Sequence, residues 1–530
     1  MEGFTAANVF WSVIILGLCI LWAKIWQVMW LKPRRIRSML LKQGIKGPEP
    51  HFFYGNFQQI KTIQSNFTQP DPHHGSSISH SAWVSSISPH LQQWAQQYGP
   101  VYLYSIMNQQ HLYVGDPELM KAMNLQKSMD LGKPTYNSKS MEPLIGDGII
   151  RANGPYWAHQ RKLIAPEFFL NKAKHMLGLM EECATAMIRR WETQIESNGG
   201  VADISVDKDL KIVAADIISK ACFGSSYSQG KQIFAKLKTL QESMSKQNIF
   251  FGIAHFRLLP TKSNKLIWRL QKEVETLILE IVNSRRKNGQ GSAEKDLLQA
   301  MLENASNTDD LNLKNAYKID KIIVDNCKNI YFAGQETTAL TASWCLMLLA
   351  LYPEWQQRIR TEILDICGDK ITECLLDLDK LRQLKTLNMV IQETLRLYGP
   401  GVLTTREVFS DMKFGNITVP KGTNIWVFIP ILHRDVENWG PDANEFRPER
   451  FSGSMAEACK YPQLYVPFGF GNRLCLGQTF ATLQLKIVVS LLVSNFNFAV
   501  SPEYRHWPVN QMVLVPQHGI RLLVTKVNGN

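Results

Sequence analysis

Paired cysteines are what this 530-residue sequence most clearly lacks. Its nine cysteines (19, 183, 222, 327, 345, 367, 374, 459 and 475) are scattered, odd in number and form no CxxC pair. That counts against a disulfide scaffold and a zinc ribbon alike. The phosphate-binding pattern GxxxxGK[ST] is missing, and so is DFG. His433-Arg434-Asp435 has the look of a kinase catalytic loop, but Asn438 stands three residues beyond the aspartate rather than five, and Ala165-Pro166-Glu167 comes before it. Charge is also sparse: 20% of residues are charged against 45% hydrophobic, which excludes wholesale disorder. The net charge is 58 − 46 = +12, and six of those charges are Lys32, Arg34, Arg35, Arg37, Lys42 and Lys46, in a stretch without an acid. The remaining 12 − 6 = +6 is too little to argue for a nucleic-acid partner.

What is present begins with an apolar run. Residues Val9 to Leu31 are apolar apart from Lys24 and a few polar groups, long enough for the roughly 20 residues that span a bilayer. Trp22, Trp26 and Trp30 suit the interface at its C-terminal end, where Lys24 can snorkel. The basic run follows at once, which places residue 32 onward in the cytoplasm. Unpaired cysteines agree with that side. A cleaved signal peptide fits less well, because residues 1–8 carry no Lys or Arg and bulky Trp and Met stand where small residues are wanted. Gly47, Pro48 and Pro50 read as a stiff elbow between anchor and body.

In the body, residues 62–90 are rich in Ser, His, Gln and Pro and read as a solvated surface loop, with His73, His74 and His80 in it. Strands are expected at 101–105, 110–114 and 425–429. Helical periodicity covers 157–164, 168–195, 206–222, 264–286, 296–304, 317–351, 354–366, 378–398 and 478–494, with a polar linker at 285–294 and weak strands closing the chain. The nearly uncharged run Thr337–Tyr352 is too short for a second span and follows Glu336 directly, so it reads as a buried core helix. A helix of about 33 residues, roughly 50 Å long, must cross a whole domain. The expected fold is therefore mainly α with small β-sheets, one large domain behind an N-terminal transmembrane helix.

The most informative stretch is Phe468-Gly469-Phe470-Gly471-Asn472-Arg473-Leu474-Cys475-Leu476-Gly477. Its glycines let backbone pass close to something flat, and a long helix follows the single cysteine. A thiolate on a glycine loop, beside a helix N-terminus and without a histidine, suits ligation of haem iron better than cysteine-protease chemistry. As a dinucleotide motif the loop fails, since Leu474 replaces the third glycine and no clear strand precedes it.

This loop resembles the haem-binding loop of the cytochrome P-450 superfamily, pattern FxxGxRxCxG, at every specified position. Glu393-Thr394-Leu395-Arg396 is similar to the family's ExxR, and Pro448-Glu449-Arg450-Phe451 to its PERF segment. Ala333-Gly334-Gln335-Glu336-Thr337-Thr338 is similar to its oxygen-activating motif, and Trp157-Ala158-His159-Gln160-Arg161 to its WxxxR. The resemblance implies haem b with Cys475 as its axial thiolate and metal ligand, and Trp157, Arg161, Arg406 and Arg473 as partners of the two propionates. It implies Glu336 and Thr337 as catalytic proton-delivery groups, with Gly334 letting the helix bulge. The bland reading of Thr337 is a core threonine bonding back to the i−4 carbonyl. Glu393, Arg396 and Arg450 are implied as a structural network.

The expected organisation is then an anchor at 1–31, a basic linker at 32–50 and a haem-thiolate monooxygenase domain at 51–530. No flavin or nicotinamide motif is present, so NADPH enters only indirectly, through an acidic NADPH–cytochrome P-450 reductase docking on the basic face near the cysteine. The family setting implies an endoplasmic reticulum membrane, a single pass and a lipophilic small-molecule substrate. The segments RIRSMLLKQGIKGP and LIGDGIIRANGPYWAHQRKLIAPEFF resemble a plant clan that oxidises gibberellin-type diterpenoids and some triterpenoids. Substrate choice is expected around Met141–Ile150, Phe250–Gly252, Val402–Thr405 and Leu514–Gln517. A haem-thiolate isomerase or dehydratase and a non-catalytic haem sensor remain the alternatives.

Overall fold

The computed structural model describes residues 2–67, 73–74, 78–136, 138–224, 227–245, 259–288, 296–306 and 316–527. Helix α1 (Glu2–Trp26) runs through a π-helical turn, Gln27–Leu31, into α2 (Lys32–Leu41) without a break. Among the described residues, Phe10–Leu41 is the one helix long and apolar enough to cross a membrane, and its most apolar stretch is unburied. The stretch expected as a basic linker, 32–50, packs on the body. Ile36 and Leu40 lie i,i+4 on one face of α2 and are buried with Leu103, Leu112 and Val114. Gln43 exchanges two hydrogen bonds with the backbone of Thr418. Gly47 lies so close to Leu103 that a Cβ there would fall 1.8 Å from its carbonyl oxygen. The apolar face of α2 decides the matter: Lys32, Arg34 and Arg35 are exposed, while Arg37 is half-buried and donates to Pro48 O (2.9 Å). At the junction Trp30 packs on Phe52, ring centroids 4.0 Å apart.

The sheet under α2 has five strands. Strands β1 (Val101–Ile106) and β2 (Gln109–Val114) form a hairpin through Met107, which takes a positive φ of 52°. The others are β3 (Leu131–Gly132), β4 (Leu403–Val408) and β5 (Asn424–Phe428). Their order is β1-β2-β5-β4-β3, antiparallel except for β2 beside β5. A second sheet joins Val201–Ser205, Phe496–Val500 and Arg521–Lys526, with the last in the middle.

Helices make up the rest: α3 (Gly154–Ile164), α4 (Leu177–Ser197), α5 (Val206–Phe223), α6 (Lys262–Asn288), α7 (Ala316–Leu351), α8 (Pro353–Cys367), α9 (Lys385–Tyr398) and α10 (Gln478–Asn495). The 36 residues of α7 rise about 54 Å. Most of α7 from Ile323 to Leu349 is buried, so it is the expected core helix. Its tightest neighbour is α5.

Three further expectations are corrected. The single helix over 168–195 is broken: a 3-10 turn, Ala165–Phe168, ends where Phe169 turns extended (ψ 156°), and a short helix, Leu170–Lys174, precedes α4. The loop at 62–90 is largely helical where it is described, with Phe57–Asn66, Ala82–Ile87 and Pro89–Tyr98. Trp83, Val84 and Leu91 supply the buried faces that its polar composition conceals. His80 is buried, not solvated, and bonds Tyr398 Oη (2.8 Å) and Tyr352 Oη (3.1 Å). The cysteines are not all unpaired, because Cys367 and Cys374 form a disulfide. That withdraws one argument for a cytoplasmic body, which then stands on the basic residues 32–46. Residues 289–294 of the expected polar linker lie outside the described residues.

Candidate functional site

Between Phe468 and Gly477 the chain makes a tight loop. Gly469 and Gly471 have φ of +78° and +62°, which a side-chain-bearing residue adopts at a cost. A 3-10 turn, Gly471–Arg473, delivers Cys475, whose N–H donates to Phe468 O at 2.9 Å. The loop is tied to its surroundings: Gly471 N–H donates to Asn124 Oδ1 (2.8 Å) and Asn472 Nδ2 to Lys127 O (2.7 Å). Cys475 lies three residues before α10, and the residue is exposed. Burial pushes its thiol pKa up, opposed by the Gly477 N–H and by Arg161. Helix terminus and cation alone therefore do not hold a thiolate here, whereas a coordinated metal ion deprotonates a thiol outright.

Around this loop the structure gathers cations. Arg473 stacks on Trp157, 4.1 Å from the ring centroid, and its Nη2 donates to Asn153 Oδ1 (2.8 Å). Its Nη1 is buried without a partner. Arg406 on β4 is buried, donating to Thr404 Oγ1, Thr405 O and Phe470 O. Arg161, one helical turn beyond Trp157 on α3, donates to Leu474 O (3.1 Å). Lys133 follows β3, one residue past the pairing of Gly132 with Glu407. Among the described residues none of the four cations pairs with a carboxylate. Burial pushes Arg406 down to about 10. Burial, then Arg406 and Arg161, push Arg473 down to about 9. Lys133 is lowered by burial first and by Arg406 and Arg473 next. Buried cations are costly unless paired, so this donor set fits a group that brings two carboxylates. A haem with its propionates fits both this set and the cysteine loop.

The oxygen-motif residues lie in mid-α7. Residues Phe332–Gln335 and Thr337 are part-exposed in a helix otherwise largely buried. Thr337 Oγ1 donates to Ala333 O (2.7 Å), and Thr338 and Thr341 bond back in the same way. At rest Thr337 thus makes the bond of an ordinary helical threonine. Glu336 is buried and pairs with Lys211 of α5, Oε2 to Nζ 3.0 Å. The expected bulge at Gly334 is not seen, for α7 is continuous there. Gly334 answers a different need: a Cβ would lie 2.5 Å from Ile218 Cγ1 on α5. Gln484 on α10 donates to Thr338 Oγ1 (3.2 Å), which links the helix behind Cys475 to α7.

The ExxR network is closed around Arg396, and only Arg450 Nε in it is buried without a hydrogen-bond partner among the described residues. Glu393 receives Arg396 Nε (2.6 Å), Arg396 Nη2 (2.7 Å) and the Arg447 N–H (2.9 Å), with Arg450 Nε at 3.5 Å. The other Arg396 donors reach His433 O, Ala443 O and Glu445 O. Arg450 Nη1 donates to Trp439 O. His433 accepts the Val466 N–H at Nε2, so its Nδ1 carries the proton and donates to Arg396 O. Burial, then Arg396 and Arg434, push His433 down to about 3.

Sequence reasoning brought Trp157, Arg161, Arg406, Arg473 and Cys475 to one place and missed Lys133 and Asn153. Asn153 Oδ1 accepts both Arg473 and the Lys133 N–H (2.7 Å), steering the guanidinium without neutralising it. Neither residue lies in a recognisable motif; only the register of β3 against β4 brings Lys133 in. Of the expected substrate segments, Phe250–Gly252 lies outside the described residues.

A sequence profile described as Cytochrome P450 matches residues 69–524. The chain is 45% identical over 509 residues to cytochrome P450 714C2 of Oryza sativa subsp. japonica, covering 96% of each. It is 44% identical over 524 residues to cytochrome P450 714A2 of Arabidopsis thaliana, covering 98% of each. To cytochrome P450 714B3 of Zea mays it is 42% identical over 530 residues, covering 98% of this chain and 97% of that one.

Proposed function

This chain belongs to the cytochrome P450 family, and from that premise we propose that it hydroxylates a lipophilic plant terpenoid, a gibberellin-type diterpenoid before a triterpenoid acid. The overall change is RH + O2 + two electrons + two protons giving ROH + water, with the electrons drawn from NADPH through a flavoprotein reductase. The observation that carries the chemistry is the cysteine loop ringed by cations without acidic partners. Cys475 would hold the iron, and Arg161, Arg406, Arg473 and Lys133 the propionates. Bound there, haem supplies the oxidising chemistry, and the thiolate's electron donation favours O–O cleavage. Thr337 keeps its hydroxyl proton on Ala333 O at rest, and rotation of its side chain makes that proton available. Glu336 is held against Lys211 and is free to move only when that pair opens.

The terpenoid assignment rests on the resemblance of residues 35–48 and 144–169 to the plant clan and on the plant origin of the relatives. A rigid polycyclic skeleton loses little entropy when held with one carbon near the iron. The anchor α1 puts the body at the endoplasmic reticulum membrane, single-pass and facing the cytoplasm, where lipophilic substrates partition. The test is reconstitution with a plant NADPH–cytochrome P-450 reductase and a panel of diterpenoid acids, triterpenoid acids, steroids, fatty acids and phenolics. The expected product is one oxygen atom heavier than a terpenoid substrate. Turnover of fatty acid or phenolic alone refutes the terpenoid assignment, and failure to consume NADPH with any of them refutes the monooxygenase reading.

A further inference from the structure

Three polar side chains of the first half of α7, Asp325, Asn326 and Asn329, are each only 1% exposed. All three reach the same neighbour, the turn that leads from Ile145 to α3. Asp325 Oδ2 accepts the Asp147 N–H (2.9 Å), Asn326 Oδ1 the Ile149 N–H (3.0 Å) and Asn329 Oδ1 the Ile150 N–H (2.9 Å). Asn329 Nδ2 returns a bond to Ile145 O (2.6 Å). The turn is moulded to these groups. A Cβ at Gly146, where φ is +55°, would fall 2.0 Å from Asp325 Oδ1, and one at Gly148 would fall 2.4 Å from Asn329 Nδ2. Asp325 is itself held by Lys321 (2.9 Å) and by the fully buried Lys328 (2.8 Å), which also reaches Glu275 of α6. At its far end the same segment is pinned through Asn153 to Arg473 of the cysteine loop.

We propose that Asn329, with Asn326 and Asp325, is a positioning element: it straps residues 145–153 between α7 and the cysteine loop and so sets a preformed, rigid wall where substrate is selected. The proposal rests on the functional reading above, since Met141–Ile150 is one of the segments expected to choose substrate. A loop of this length without such anchors would sample many conformations, and each residue fixed on closing round a ligand would cost conformational entropy. The strap has met that cost in folding. Ile149 and Ile150, part-exposed and packed on the main core, are the side chains whose places it sets.

The experiment uses the full-length holoprotein and its Asn329→Ala variant, with two probes of different size that bind haem iron, imidazole and 4-phenylimidazole. In the variant, hydrogen exchange at the Ile150 amide is expected to quicken at least tenfold, with amides of α9 unchanged. The affinity ratio of the two probes, read from the Soret shift, is expected to change at least fivefold. Should Asn329→Ala not fold, Asn326→Ala gives the same readouts at the Ile149 amide. Asn326→Asp, which keeps the acceptor, is expected to restore both. Unchanged exchange overturns the strap. Faster exchange with an unchanged probe ratio overturns its positioning role and leaves a structural brace. If wild-type protein gives no Soret shift with either probe, the haem reading fails instead, and the strap itself is decided by exchange alone.

Discussion

Two groups of buried arginines lie in this molecule and are built on opposite plans. Around Glu393 every strong donor of Arg396 ends on a carboxylate or carbonyl of the chain itself. Around the cysteine loop, Arg406 is buried and Arg473 half-buried, both with only neutral acceptors among the described residues, and the buried Nη1 of Arg473 has none there. A closed network is finished when the chain folds. An open one is electrostatically unfinished, and its depressed arginine pKa values record the strain of unmet charge. On the proposed reading the same residue type serves as scaffold in one place and as binding site in the other, and the arrangement of acids around it tells which.

The contrast can be broken most severely at its closed side. Glu393→Ala leaves the Arg396 guanidinium buried and uncompensated, and about 3–5 kcal/mol of stability is expected to go, enough to abolish folded, haem-containing protein in expression trials. A variant that accumulates normally and melts like wild type would refute the scaffold role. Next comes Cys475→Ala, expected to abolish the red-shifted Soret band of the ferrous–CO complex while the folded body persists. On the open side, Arg473→Leu removes a half-buried charge that has no acidic partner among the described residues. The apo protein is expected to melt within a few degrees of wild type, while haem transfer to apomyoglobin quickens about tenfold, equivalent to about 1.4 kcal/mol. Equal losses of apo stability and haem retention would erase the distinction drawn here.

The smallest effect is a slope. His433 has a folded-state pKa of about 3, below the value near 6.5 expected when unfolded. The unfolded chain then binds the extra proton, so the stability this histidine contributes is complete above about pH 6.5 and is lost as pH falls toward 3. Its share of the slope is about 1.4 kcal/mol per pH unit in that window. His433→Asn is expected to flatten the dependence of unfolding free energy on pH by about one proton. An unchanged slope would mean that His433 is protonated in the folded state and that its hydrogen bonds run the other way.

Much of this was legible in the sequence, for identifiable reasons. Gly469, Gly471, Arg473 and Cys475 lie within seven residues, so local backbone demands and chemistry coincide in one string. The long core helix was visible because a run free of charge can only be buried or in lipid. Lys133, Asn153 and the strap were not visible, since each depends on partners 20 to 320 residues away. The segment at 62–90 misled because composition hides geometry: His80 is polar, yet two tyrosine hydroxyls satisfy it in the core. The Cys367–Cys374 pair was missed because a spacing of seven carries no signature of its own.

The unbroken helix from the anchor into α2 makes the membrane segment a drive shaft rather than a mooring line. Because Ile36 and Leu40 are seated in the body and Trp30 lies against Phe52, rotation of the span is rotation of the whole catalytic unit. One residue inserted at the π-helical turn would swing the body by about 100° about the shaft, and four would return it almost to its starting bearing one turn farther from the bilayer. The face turned toward the lipid is therefore set by helical phase, and an exchanged anchor serves only if that phase is kept.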